Sequence, residues 1–542
     1  KASISGAPMV AGWRSLWKIN SENRTVLSMR DKLPLTVLSL IGTVFILLAT
    51  RNYGAGLSPD SVGYIATARQ IVSGIGAVTY DGTPLTVQPP LYPVLLATFD
   101  YVFRIDPLLS AHIVNAVLFG LIVYLSGVLF LKLLKSSVTL AFFGTVSILV
   151  SIPLVQVSLM AWSEPLFICF VLLYLIFSES YLEKADTTSL LLLSLSVALA
   201  CLTRYIGVIL IFTGIVSILV FCRNSLRVKI RHLILFVSIS AFPIGMWVIR
   251  NYFLSGTLFG PRASSIFTLS QNLAFTLSTL LSWYIIPKRI SEHSPTLIFL
   301  SLVLLSATVG FLANLIIRGN WSKVRTFLSE MRVLLLFTIA YVGFLVISST
   351  TTAYDRIGDR LLSPVFVPLT LILLFLASKI LMSPKKWLPP KGVNILLAVA
   401  IVMWLLYSSI VATRSIVNAM SHGIGYSGES WKSSQTIEYL RQNQALVSEC
   451  VVIYSNAPDA LYVLANLTAR MSPEKTHYNS PEIVQDISSL RKSWPEESNS
   501  CLVWFDKIDR KYLFTVDELQ AVANMQLIIR TEDGAVYSVA RE

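Results

Sequence analysis

The stretch PLLSAHIVNAVLFGLIVYLSGVLFL, residues 107–131, runs without a single Asp, Glu, Lys or Arg. As an α-helix at about 1.5 Å per residue it is roughly 37 Å long, enough to cross about 30 Å of hydrocarbon. Its few polar residues are too scattered to form a wet face, so it reads as a membrane span. Comparable blocks lie at 34–50, 138–158, 165–182, 187–203, 205–222, 233–249, 295–317, 333–353, 361–378 and 393–413, which makes eleven expected spans. Composition agrees: of 542 residues 54% are hydrophobic and 13% charged, against roughly a quarter charged in soluble domains. A water-soluble globule has no means of hiding that much apolar surface.

Basic residues set the expected orientation. With the N-terminus taken as cytoplasmic, alternate connections collect 21 lysines and arginines, from Lys1, Arg14 and Lys18 through Lys132, Lys135, Lys184 and the Arg223–Arg231 group to Lys379, Lys385, Lys386 and Lys391. That is the positive-inside pattern. It requires the apolar stretch 271–287, flanked by Gln271 and Lys288-Arg289, to lie along the outer interface as an amphipathic helix. The net charge of +13 is then accounted for by topology and anionic lipid, and no nucleic-acid partner is implied. Residues 1–32 are too polar and too long for a cleavable signal peptide, and a chain that opens on Lys1 is expected to have its true start upstream.

Three regions result: a cytoplasmic segment 1–33, a membrane domain 34–414 and a soluble extracytoplasmic α/β domain 415–542. The first outer loop, 51–106, is far longer than an ordinary connection. Ser58 followed by Pro59 predicts a helix over 59–73, with Val62, Ile65 and Val72 on one face and Asp60, Tyr64 and Thr67 towards another. After a turn at Asp81-Gly-Thr-Pro84, Gln88-Pro-Pro-Leu-Tyr-Pro93 introduces a second surface helix, 91–103. In the last region 438–446, 457–467 and 516–523 read as helices, 451–454 and 502–505 as buried strands, and 525–530 with 535–540 as a hairpin around Asp533-Gly534. No glycine-rich loop follows either strand, so a docking or lid role is expected there and no nucleotide site.

Cys169, Cys201 and Cys222 fall in spans and read as small core hydrophobes. Cys450 and Cys501 each precede a buried strand. If those strands are parallel neighbours about 4.8 Å apart, the two lie within disulfide reach on the oxidising side. The five histidines are scattered and read as structural, and there is no P-loop, HExxH or CxxC.

Polar groups gathered at one end of the spans are where chemistry is expected, because burying them is expensive. Asp60 opens the first loop helix, and Glu164 opens the fourth span in Trp162-Ser-Glu-Pro165. Each carboxylate could merely complement a helix dipole. Together they could hold a divalent cation (Mg or Mn), or one could act as base while the other positions. Arg204, Arg250, Arg262, Arg356 and Arg360 fall on the same side, against the positive-inside bias. Any one could be an interface anchor, but as a set they fit an anionic partner such as phosphate.

Asp60 in a long first loop, Gln88-Pro-Pro-Leu-Tyr-Pro93, Ser163-Glu-Pro165, Leu202-Thr-Arg-Tyr205, Gly256-Thr-Leu-Phe-Gly-Pro-Arg262 and Asp359-Arg-Leu-Leu-Ser-Pro364, in that order, resemble the GT-C glycosyltransferases. The nearest likeness is to the branch of protein O-mannosyltransferases and the lipid A aminoarabinose transferase, over roughly residues 34–413. The resemblance implies a transmembrane helical bundle that moves a sugar from a polyprenyl-phosphate donor to a glycan, lipid or protein acceptor on the extracytoplasmic face, with inversion. It implies a multi-pass protein among the lipids of a bacterial inner (plasma) membrane. Asp60 would be base or metal ligand, Glu164 the second acid, and Arg69, Tyr64, Gln88, Tyr92, Arg204, Tyr205, Arg262, Arg356 and Arg360 would contact substrate. Two departures stand out: Ser61 follows Asp60 where a second acid is common, and Gln88 stands where the family has Lys. A non-catalytic scaffold subunit and a lipid or sugar transporter remain the rival classes, although no duplicated halves of the transporter kind are visible.

Overall fold

The computed structural model describes residues 29–134, 137–284, 310, 328–381, 390–444 and 449–541. Apart from residue 310, the expected span 295–317 lies outside them, as does nearly all of the segment 1–33. Among the described residues seven helices are long and apolar enough to cross a membrane: Lys32–Thr50, Pro107–Leu133, Glu164–Lys184, Leu226–Ser255, Arg332–Thr351, Asp359–Ser378 and Ala398–His422. The block at 138–158 forms two helices, Val138–Leu149 and Ile152–Leu159, bent by 41°. Pro153 sits in the first turn of the second, where its missing N–H is harmless. The blocks at 187–203 and 205–222 are shorter apolar helices, and the latter is a 3₁₀ turn, Tyr205–Gly207, an α segment and a π turn, Ser217–Phe221. The last helix continues past the expected boundary at 414 to His422.

Burial sorts the helices. Pro107–Leu133 is packed nearly all round, with Phe119, Ile122, Leu129 and Phe130 fully buried. Leu226–Ser255 instead exposes Ile234, Phe242, Met246, Ile249 and Phe253, an apolar surface that suits lipid. The stretch expected at the outer interface is the helix Leu269–Tyr284, whose Trp283 Nε1 donates to Asp359 and whose Tyr284 ring stacks on Phe366.

The C-terminal unit carries a five-stranded sheet in the order β2-β1-β3-β5-β4. β1 (Val452–Ser455) pairs parallel with β2 (Arg470–Met471) and β3 (Ser500–Phe505), and β5 (Gly534–Ala540) runs antiparallel to β3 and β4 (Asn524–Arg530). Side chains alternate across β3: Val503 and Phe505 join the large core continuous with the membrane helices, while Leu502 joins a second core with Tyr454, Trp494 and Tyr537. The helix expected at 438–446 runs Gln435–Gln442 because the Ser434 hydroxyl caps it, accepting from Ile437 N; residues 445–448 lie outside the described ones. The short β2 and the helix Ile487–Ser493, capped by Asp486, carry too little periodic signal to stand out in the sequence. Cys450 and Cys501 are disulfide-bonded, Cα to Cα 5.7 Å.

The linker locks this unit onto the long loop 51–106. Leu57 N donates to Ile424 O, and Tyr426 N to Leu57 O at 3.0 Å. Gly425 has φ +61°, and a Cβ there would run into the Leu57 carbonyl.

Candidate active site

Three helix starts and one helix break converge on one point. Ser58 caps the helix Pro59–Val72, its hydroxyl accepting from Ser61 N, and so places Asp60 in the first turn. That helix buries Val62, Ile65 and Ala68. Glu164 is the first residue of the span Glu164–Lys184, and Arg360 the second residue of Asp359–Leu362. Arg204 has extended backbone between Thr187–Thr203 and the turn that follows, which turns its side chain away from either helix.

Arg360 is the hub. Its Nη2 donates to Asp60 Oδ2, its Nε to Glu164 Oε1 at 2.6 Å and its Nη1 to Asp355 Oδ2 at 3.3 Å. Its guanidinium lies 4.3 Å from the centroid of the Trp162 ring, a cation–π contact. Arg204 Nη1 donates to the same Glu164 oxygen at 2.5 Å and to Ser163 Oγ at 3.2 Å. Glu164 is 1% exposed, and its Oε2 has no hydrogen-bond partner among the described residues. A buried charge of this kind is tolerable only because two guanidiniums face it. Gln88 Nε2 donates to Asp60 Oδ1 at 3.0 Å, and so occupies this place as a neutral donor.

Burial raises the Asp60 carboxyl, but the charge and hydrogen bond of Arg360, aided by Arg204 and Gln88, outweigh it and hold it below the ordinary carboxylate value. The Asp60 side chain is 34% exposed. Asp60, Asp355 and Arg360 line a cavity of about 850 Å³. The opposite wall belongs to the C-terminal unit and includes Asp459, Met471, His477, Tyr478, Asn479 and Tyr512.

Other expected contact residues serve the walls. Tyr64 shares a hydrogen bond with Ser163 (3.1 Å), and Tyr92 donates to Asn115 Oδ1 (3.0 Å). Tyr205 donates to Thr86 O at 2.6 Å and accepts from Trp247 and Asn251. Arg250 ties the loop carbonyls of Leu85 and Ala77, and Arg262 donates to Val87 O. Arg356 lies over the Phe275 ring. Arg69 is engaged elsewhere: it forms a bidentate pair with Asp106, the cap of the helix Pro107–Leu133, and lies over the ring of Tyr462. Trp162, Ser163 and Asp355 join the cluster without having been singled out. Each lies within two positions of Glu164 or Arg356, and in Trp162-Ser-Glu-Pro165 and Tyr354-Asp-Arg356 that proximity is the available signal. Nothing local marks Tyr478.

The fit to a divalent cation is poor. Asp60 and Glu164 do not face each other across open space, because the Arg360 guanidinium bridges them, and a cation set there would meet that positive charge. Ser61 hydrogen-bonds Ser58, and no group of three His, Cys, Asp or Glu side chains among the described residues could hold a metal ion.

The chain resembles known proteins over part of its sequence and in its fold. Residues 87–247 match the family described as dolichyl-phosphate-mannose-protein mannosyltransferase. The structure of ArnT from Cupriavidus metallidurans bound to undecaprenyl phosphate superposes with a TM-score of 0.58 at 13% identity, covering 93% of this chain and 97% of that one. The fold is that of the GT-C glycosyltransferases. The same GT-C likeness extends to archaeal AglB from Archaeoglobus fulgidus in complex with an inhibitory peptide and a dolichol-phosphate, with a TM-score of 0.52, 11% identity and coverage of 95% of this chain and 75% of that one. It extends also to the arabinofuranosyltransferase AftD from Mycobacteria, with a TM-score of 0.54, 14% identity and coverage of 97% and 41%. A search of the curated proteins finds no match.

Proposed function

We propose that this multi-pass membrane protein is a glycosyltransferase that moves a sugar from a polyprenyl-phosphate-linked donor to an acceptor hydroxyl at the extracytoplasmic face. The observation that carries the reading is the meeting of the Asp60 carboxylate with the Arg360 guanidinium on the wall of a cavity at the ends of apolar helices. A similar structure bound to undecaprenyl phosphate and another in complex with a dolichol-phosphate support it. In this reading the N-terminus is cytoplasmic, and the C-terminal unit from about residue 415 roofs the cavity outside the membrane.

The chemistry follows from the residues. Asp60 takes the proton of the acceptor hydroxyl, and the freed oxygen bonds to the anomeric carbon of the donor. The bond from that carbon to the phosphate oxygen breaks, and its electron pair leaves with the polyprenyl phosphate. Attack opposite the leaving group inverts the centre. Arg360 holds Asp60 in its charged form. Among the described residues Arg204 uses only Nη1, on Glu164 and Ser163, which leaves the rest of its guanidinium for the leaving phosphate. Such contacts are strongest in a site with little water.

The test is release of label from a panel of polyprenyl-phosphate sugars by purified protein, with envelope extract as the source of acceptors. Wild-type protein is expected to transfer label from at least one donor, and Asp60→Asn from none. Failure of the wild type with every donor would overturn the reading.

A further inference from the structure

We infer that the C-terminal unit positions Arg360 through a relay of Tyr478 and Asp355, so that a soluble-domain phenol helps to set the geometry of the base Asp60. The inference rests on the transferase reading above and adds to it a positioning residue in a separate part of the chain.

Arg360 touches three carboxylates, and the most exposed of them is Asp355, whose Oδ2 accepts from Arg360 Nη1 at 3.3 Å. The other oxygen of Asp355 accepts from the Tyr478 hydroxyl at 3.0 Å. An unbroken line of hydrogen bonds therefore runs from the C-terminal unit through Asp355 and Arg360 to Asp60 and Glu164. Tyr478 is itself fixed. Its ring packs edge-on against Tyr512, with centroids 5.5 Å apart. Asn479, at φ +50°, donates through Nδ2 to Tyr354 O and accepts from Ile266 N, both at 3.0 Å. Glu482 Oε1 accepts from Ser264 N at 2.8 Å. Residues 478–482 thus stitch together two outer segments of the membrane domain, which are already joined by Ala353 N donating to Ala263 O.

Stitching alone would be ordinary domain contact. What sets this line apart is its end point, a guanidinium that touches both acids of the site. A neutral phenol also suits the task. It fixes one oxygen of Asp355 without bringing a positive charge to compete with Arg360, as Lys or Arg would. Burial and the Asp355 charge push the Tyr478 hydroxyl up to about 12, so it remains a donor across the physiological range. Without that hydroxyl, Asp355 (side chain 52% exposed) is free to turn to water, and Arg360 loses its third anchor. A misplacement of an ångström is enough to slow a transfer step.

The experiment uses the full chain in detergent with Tyr478→Phe, Asp355→Asn and the double variant, assayed with whichever polyprenyl-phosphate sugar the wild type accepts. Tyr478→Phe keeps the ring packing and removes only the hydroxyl. It is expected to lower kcat by roughly three- to tenfold, less than the loss of a whole hydrogen bond to a charged group because the phenol acts through Asp355, while KM for the donor stays within about twofold. The double variant should be no slower than Asp355→Asn alone, because the phenol acts through that carboxylate. Hydrogen exchange of residues 352–358 should rise in Tyr478→Phe. A kcat equal to wild type, or single effects that multiply in the double variant, would overturn the relay. If the wild type transfers no sugar, the transferase reading falls, and exchange at 352–358 decides the relay alone: no rise in Tyr478→Phe removes it.

Discussion

Asp60 is kept charged by its neighbours, and that has a measurable sign. Its carboxyl sits below its ordinary value of 3.8, because Arg360 chiefly, with Arg204 and Gln88, offsets the cost of burial. A lowered value means that the charged form, and the stability it lends, is fully present above that ordinary value and is lost as pH falls through the lowered one. Transfer should therefore hold on the acid side until pH drops below about 4, and an acid limb centred near pH 6 would assign the base to another group. Asp60→Asn is expected to reduce transfer by about 10²–10⁴-fold and, by removing the charge that pairs with Arg360, to lower the melting temperature while the chain still folds. Unchanged turnover would take Asp60 out of the mechanism. Arg360 makes a different demand, since three of its nitrogens reach three carboxylates. A lysine ammonium has no such fork. Arg360→Lys should lower transfer at least about tenfold and lower the melting temperature, because one ammonium cannot hold Asp60, Glu164 and Asp355 at once.

Elements deliver these residues through their ends. Asp60, Glu164 and Arg360 each occupy the first turn of a helix, and Arg204 lies in the break after one, so helix boundaries do the placing. In the C-terminal unit the parallel pairing of β1 and β3 brings the chain before β1 beside the start of β3, where Cys450 and Cys501 are joined. The bond closes a loop over a sequence separation of 51 residues. In the chain-entropy account such a loop is worth on the order of 4 kcal/mol. Denatured, unreduced protein should titrate three free thiols, Cys169, Cys201 and Cys222; a count of five would mean that the pair is reduced.

The whole molecule is a helical bundle with a sheet-bearing cap whose core is continuous with it. The proposed orientation, with the N-terminus cytoplasmic, is argued from the 21 basic residues of alternate connections. Single cysteines placed at Glu474 and at Lys184 in a cysteine-free chain test that orientation. An impermeant thiol reagent added to intact cells should label the first and spare the second, and the reverse pattern would invert the topology.

The membrane class was legible in residues 107–131 alone, because a long uncharged run has one favourable environment and a span is a local object. The helix over Pro59–Val72 was equally legible from Ser58-Pro59, since capping depends on a few adjacent residues. The chemical types of Asp60, Glu164, Arg204 and Arg360 could be read as well, but their grouping could not. Asp60 and Arg360 are 300 positions apart, and the packing of several helices brings them together. That packing also separated residues that look alike in the sequence: Arg204 faces Glu164, Arg69 pairs with Asp106 and Arg250 holds loop carbonyls. Tyr478 was beyond reach for the same reason. A hydroxyl on a loop of the C-terminal unit gains its meaning only from the carboxylate opposite it, and seating that unit over the bundle is a tertiary event that no local pattern encodes.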